Sequence, residues 1–231
     1  YADLLVLATP VSVIMDLLAK LPQLTPRSEV TLSVMDIGST KAEITAKMST
    51  LPEEYNCIGG HPMCGKETSG IAHANASLYQ NAKFVLTSLA NTSLATLDLS
   101  QELVLAAGAK PLHMEAYRHD RMVALTSHLP YLLACSLVAT VEEHGKEDSG
   151  IWDLAATGFR DTARVAASDV PMLIDILNTN KDAVRAALGQ QRRALELLDA
   201  ALDGDEAILN ATLGAIRTAY RSHFPPASAE R

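Results

Sequence analysis

Cys57-Ile58-Gly59-Gly60-His61-Pro62-Met63-Cys64-Gly65-Lys66-Glu67-Thr68-Ser69-Gly70 is the stretch around which the chain is organised. Its glycines and proline do not suit a helix or a strand interior. Glycine reaches backbone conformations closed to other residues and lets a ligand approach the main chain. The run therefore reads as a shaped loop that presents His61, its one side chain titrating near neutrality. Upstream, Asp36-Ile37-Gly38-Ser39-Thr40-Lys41 is a second strand-to-loop signature. Ligands of α/β sheets sit beyond the carboxyl ends of the strands. Both loops begin at such ends, so Ser39 and His61 are expected to meet there.

Working outward, apolar runs at 4–8, 30–35 and 83–87 read as strands, and 110–114 as a last, edge strand because Pro111 disfavours a central place. The unbroken run 4–8 suits a strand buried on both faces. Val11, Ile14, Leu17, Leu18 and Leu21 recur at helical spacing; 41–48 and 94–107 are further helices, the latter ended by Gly108. The alternation predicts a mostly parallel sheet over 1–114, part of a Rossmann-like domain. From 115 the pattern is helical only. It covers 122–143 with a kink at Pro130, shorter pieces at 151–156 and 172–177, and stripes Val184-Leu188-Leu195-Leu198-Leu202 and Leu209-Leu213-Ile216-Tyr220. Residues 115–231 thus read as an all-helical domain whose last stripes pack on each other or on a second subunit.

Composition narrows the function. A net charge of −8 and an aromatic content of 4% argue against nucleic acid. Three irregularly spaced cysteines make no disulfide framework and point to a reducing, cytoplasmic setting. No apolar run is expected to span a bilayer, so no membrane partner is expected. The chain opens almost directly on a strand and lacks G-x-G-x-x-G after it, so the natural protein is expected to extend toward its N-terminus.

The chemistry-bearing residues leave alternatives open. His61 reads as a structural histidine, as a metal ligand beside Cys57 and Cys64, or as a general base; a zinc site needs four ligands, and no C-x-x-C completes one. Ser39 reads as a helix cap or as a hydroxyl that bonds a substrate or orients His61. His119-Asp120 and Ser127-His128-Leu129-Pro130 suit core positions as well as a site. In Gly158-Phe159-Arg160-Asp161-Thr162-Ala163-Arg164, Arg160 and Arg164 are four apart and share a helix face, fit for a carboxylate or for a solvated ion-pair surface.

Taken together, Asp36–Lys41, Gly59-Gly60-His61-Pro62-Met63, Glu67-Thr68-Ser69-Gly70, His119-Asp120, Ser127–Pro130 and Gly158–Arg164 resemble the prephenate/arogenate dehydrogenases of tyrosine biosynthesis, over residues 1 to about 200 and in the family's order. Cys64 departs from the commoner alanine. The resemblance implies a nucleotide-binding domain with its glycine fingerprint upstream, followed by a helical domain forming a homodimer. It implies NAD or NADP as cofactor, no metal, and oxidative decarboxylation of prephenate or arogenate. By match of motif, His61 is the base, Ser39 bonds the reacting hydroxyl, and Arg164, with Arg160 and His128, holds substrate. Thr9, Pro10, Val11, Gly38 and Ser39 approach the cofactor. Another hydroxy-acid dehydrogenase, or a dimeric binding module without catalysis, are the competing readings.

Overall fold

The computed structural model describes residues 2–24, 31–65 and 71–225. Among the described residues five strands form one sheet in sequence order: β1 (Leu4–Leu7), β2 (Leu32–Asp36), β3 (Tyr55–Pro62), β4 (Lys83–Ser88) and β5 (Lys110–His113). β1, β2 and β3 run parallel, β4 is antiparallel to β3, and β5 is parallel to β4. Adjacent residues point to opposite faces. Val34 and Cys57 therefore pack with Leu7, Ile14, Leu18 and Ile44 under α1 (Val11–Lys20) and α2 (Ala42–Met48). Met35 and Ile58 pack on the other face with Phe84, Leu86 and Val104 of α3 (Leu94–Ala106). Gly108, at φ 83°, ends α3 as expected. β1 ends the strand order, and, contrary to the expectation of a strand buried on both faces, Val6 is 39% exposed.

The glycine stretch corrects the sequence reading. Residues 57–62 are strand, not loop, and β3 is the central strand of the sheet. The glycines serve close packing. A Cβ on Gly60 would lie 2.6 Å from the Asp36 carbonyl oxygen and 2.7 Å from Met35 Cε; one on Gly59 would lie 3.2 Å from Lys41 Cδ.

The helical part begins with α4 (Ala116–Val123), capped by the Glu115 carboxylate, which accepts from the amides of Tyr117 and Arg118 at 2.8 Å. A wider π turn, Ala124–His128, leads into α5 (Leu129–Gly145). A proline ring clashes with the carbonyl four residues earlier, and Pro130 directly follows this turn, where the wider pitch relieves that clash. The continuous run Ala116–Gly145 is, by length and composition only, long and apolar enough to cross a membrane, contrary to the sequence expectation. Its first half carries buried His119, Asp120 and His128, which bond to other parts of the protein. α6 (Thr157–Ala163) and α7 (Val170–Thr179) follow; the piece expected at 151–156 is instead a short turn at Ser149–Trp152. α4 packs on α2, and α7 on α1. These elements belong to one compact unit, residues 1–184; the second, 185–231, contains most of α8 (Lys181–Leu202) and α9 (Glu206–His223).

Candidate active site

β1, β2 and β3 all point their carboxyl ends to one edge of the sheet. That edge carries Thr9 and Pro10 after β1, Gly38 and Ser39 after β2, and His61 near the end of β3. Thr9 and Pro10 are exposed, Val11 and Gly38 buried, Ser39 and His61 part-exposed.

Beneath His61 lies a buried ion pair. The Lys41 ammonium, with no exposed surface, donates to Asp36 Oδ2. The same carboxylate accepts from the amides of Gly38 at 2.8 Å and Gly60 at 3.3 Å. Burial pushes Asp36 up and Lys41 down, and each is drawn back by the other's charge. The two glycines of β3 leave room for this pair beneath the strand that carries His61. Nearby, burial pushes the Cys57 thiol up to about 12, which suits a packing residue and not a reactive one.

His61 is held from the helical side. Its Nδ1 lies 2.8 Å from His119 Nε2, with the rings edge to face at 74°. His119 Nδ1 lies 2.7 Å from Asp120 Oδ1. That carboxylate also accepts from the amides of Lys41 and Ala42, both at 2.8 Å, so it caps α2 from across the chain. Asn180 donates to the Asp120 carbonyl at 2.7 Å and lies 3.3 Å from His128 Nδ1. Thr40 is tied to Thr179 at 2.9 Å. Burial, together with the neighbouring His119, Lys41 and His128, pushes the His61 pKa well below 6.5. Burial likewise lowers His128, to about 4, against the pull of Asp120. His61 is therefore an uncharged imidazole at neutral pH, able to accept a proton.

The expected meeting of Ser39 and His61 takes another form. Both lie at one edge, but Ser39 Oγ has no hydrogen-bonding partner among the described residues, and His61 is bonded to His119 instead. Arg160 lies in the last turn of α6, and Arg164 opens the short turn that follows; both are exposed. His128 is buried against Asn180. The motif at 67–70 lies outside the described residues. His119 and Asp120, which the sequence leaves open between core and site, fall on the inward stripe Ala116-His119-Asp120-Val123-Ala124. A histidine and a carboxylate on so apolar a stripe were the available signal.

The family described as prephenate dehydrogenase, nucleotide-binding domain, matches residues 1–112, and that described as prephenate dehydrogenase, dimerization domain, matches residues 115–213. The chain belongs to the prephenate dehydrogenase family. A cyclohexadienyl dehydrogenase of Zymomonas mobilis is 30% identical over 88% of this chain and 70% of its own length. A prephenate dehydrogenase of Lactococcus lactis is 34% identical over 78% of this chain. The chain spans about half the length of the prephenate dehydrogenases of L. lactis and Bacillus subtilis. Among solved structures, a prephenate dehydrogenase from A. aeolicus, in complex with hydroxyphenyl propionate and NAD+, superposes with a TM-score of 0.86 at 26% identity, covering 95% of this chain and 76% of that one. Membership of this family places the histidine-bearing edge in a fold used by dehydrogenases.

Proposed function

We propose that the chain carries out NAD- or NADP-dependent oxidative decarboxylation of prephenate, giving 4-hydroxyphenylpyruvate, or of arogenate, giving tyrosine. One observation carries the reading: an uncharged, part-exposed imidazole, His61, at the strand edge where the exposed Thr9-Pro10 turn and Ser39 also lie. The names of the relatives support the reaction class, and the A. aeolicus complex with NAD+ and an aromatic acid supports the pairing of cofactor and ring.

Thr9, Pro10, Val11, Gly38 and Ser39 would hold the dinucleotide, since they cluster at the carboxyl ends of adjoining parallel strands. When bound there, its nicotinamide supplies the acceptor for the hydride leaving C4 of the ring. His61 takes the proton of the 4-hydroxyl, and Ser39 bonds the same oxygen. Loss of carbon dioxide leaves an aromatic ring, so the protein's work is mainly to position and deprotonate. Arg164, with Arg160 and His128, is assigned to the substrate carboxylate. In this reading residues 1–114 belong to the nucleotide domain and 115–231 to the helical domain, which forms a homodimer; the division of the family matches near residue 114 supports it. The setting is cytoplasmic, and neither a metal nor nucleic acid takes part.

The test is a matrix of prephenate and arogenate against NAD and NADP, following cofactor reduction. Turnover in at least one cell of the matrix is expected. Silence in all four, with folded protein, overturns the reading in favour of a binding module.

A further inference from the structure

We infer that His119 and Asp120 are positioning residues that fix which nitrogen of His61 carries its proton, so that Nε2 is left as the base. The inference rests on the function proposed above, which makes His61 the base, and on the geometry of two hydrogen bonds.

A carboxylate only accepts hydrogen bonds, so the nitrogen facing Asp120, His119 Nδ1, carries a hydrogen. Only one hydrogen fits between His119 Nε2 and His61 Nδ1, and for His61 to act as a base at Nε2 that hydrogen must sit on its own Nδ1, with His119 Nε2 as the acceptor. In this arrangement His61 Nδ1, 2.8 Å from His119 Nε2, is the donor. His61 Nε2 is left with the free lone pair. This assignment satisfies both bonds, and it runs from a carboxylate through two rings to the part-exposed edge of the sheet. A free imidazole exchanges between two tautomers, and only one of them is a base at a given atom.

The anchor is rigid for a stated reason. The Asp120 carboxylate accepts from the first amides of α2, Lys41 and Ala42, and its own carbonyl accepts from Asn180. It cannot swing toward His61 without uncapping that helix. Other charged or titratable groups facing this chain are Lys41, which is occupied by Asp36, and His128, which faces Asn180. Neither hydrogen-bonds to His61 among the described residues. Ser39, the orienting group expected from the motif, has no such bond either.

Asp120 is a poor site for the test, because any substitution also disturbs the α2 cap. His119 is the better one. In His119→Gln the side-chain oxygen replaces Nε2 as acceptor, with its amide nitrogen turned toward Asp120. In His119→Leu there is no acceptor. The readouts are the ring-nitrogen NMR signals of His61, which need no substrate, and kcat and KM with the substrate that the wild type turns over. The expected result is that wild type and His119→Gln hold His61 as the Nδ1–H form, and that His119→Leu gives a mixture. For turnover, His119→Gln is expected within about tenfold of wild-type kcat, and His119→Leu to lose about a hundredfold with KM nearly unchanged. A single Nδ1–H form persisting in His119→Leu overturns the inference, as does a kcat in His119→Gln as low as in His119→Leu. Absence of wild-type turnover would instead fail the proposed function, and the nitrogen signals would still decide this inference.

Discussion

Gly60 lies directly against Asp36: its amide donates to Asp36 Oδ1 at 3.3 Å, and a Cβ on it would come within 2.6 Å of the Asp36 carbonyl oxygen. The obstacle is backbone of a paired strand, which cannot move aside as a side-chain tip can. Gly60→Ala is therefore expected to cost about 1–3 kcal/mol through overpacking. Gly59→Ala is expected to cost less, because its neighbours are side-chain atoms at 3.1–3.3 Å. Denaturant unfolding of both variants checks the order; equal losses would show that the Asp36 carbonyl is not what holds position 60 to glycine.

Lys41→Met removes the cation that faces the fully buried Asp36. A charge left alone in the interior is costly, and a loss of about 3–5 kcal/mol is expected. The same urea titration measures it. A loss below about 1 kcal/mol would mean that the pair contributes little beyond packing.

The sheet was legible because buried strands leave apolar runs between helical stripes, as at 4–8 and 30–35. The direction of β4 was not, because an apolar run has no sense of direction. The glycines of β3 were misread for a physical reason. A missing Cβ serves a turn and a tight contact equally, and only the neighbours, Asp36, Met35 and Lys41, tell the two apart. His61 stood out by its local pattern. Its pairing with His119 did not, since the two lie 58 positions apart and nothing local to either ties one ring to the other. Lys41 read as the start of a helix, and its burial depends on Asp36 and Gly59 being brought together by folding.

Replacing His61 by Asn removes the proton acceptor and nearly conserves shape. Turnover is expected to fall by about two to four orders of magnitude, with substrate binding largely kept. The pH profile is a second check. Because the His61 pKa is pushed well below 6.5, the imidazole remains a base as pH falls past the ordinary histidine range. The acid limb of kcat/KM is therefore expected below pH 6.5. A limb at or above 6.5 would contradict the desolvated site.

Arg164→Ala tests the substrate end. Loss of a charge-assisted contact of about 1.5–3 kcal/mol is expected to raise KM more than it lowers kcat. Steady-state kinetics with the preferred substrate measures the split, and an unchanged KM would place the substrate carboxylate elsewhere.

His128 gives a prediction about stability. It is buried, Asn180 stands against its Nδ1, and its pKa is lowered to about 4 in the folded protein. In the unfolded chain the ordinary value of 6.5 applies. Between these values the unfolded chain binds a proton that the folded protein does not, so stability must fall as pH falls. The contribution is complete above about pH 6.5 and lost toward pH 4. At about 1.4 kcal/mol per pH unit, that window amounts to about 3 kcal/mol. Other groups also respond to acid, Asp36 with the opposite sign because its pKa is raised and His61 with the same sign because its pKa is lowered, so the comparison must be with His128→Gln. The variant is expected to be less sensitive to acid, the gap between the two stability curves closing by about 3 kcal/mol from pH 6.5 to 4. Parallel curves would mean that His128 takes up its proton in the folded protein as readily as in the unfolded one, and that its burial against Asn180 does not hold it neutral.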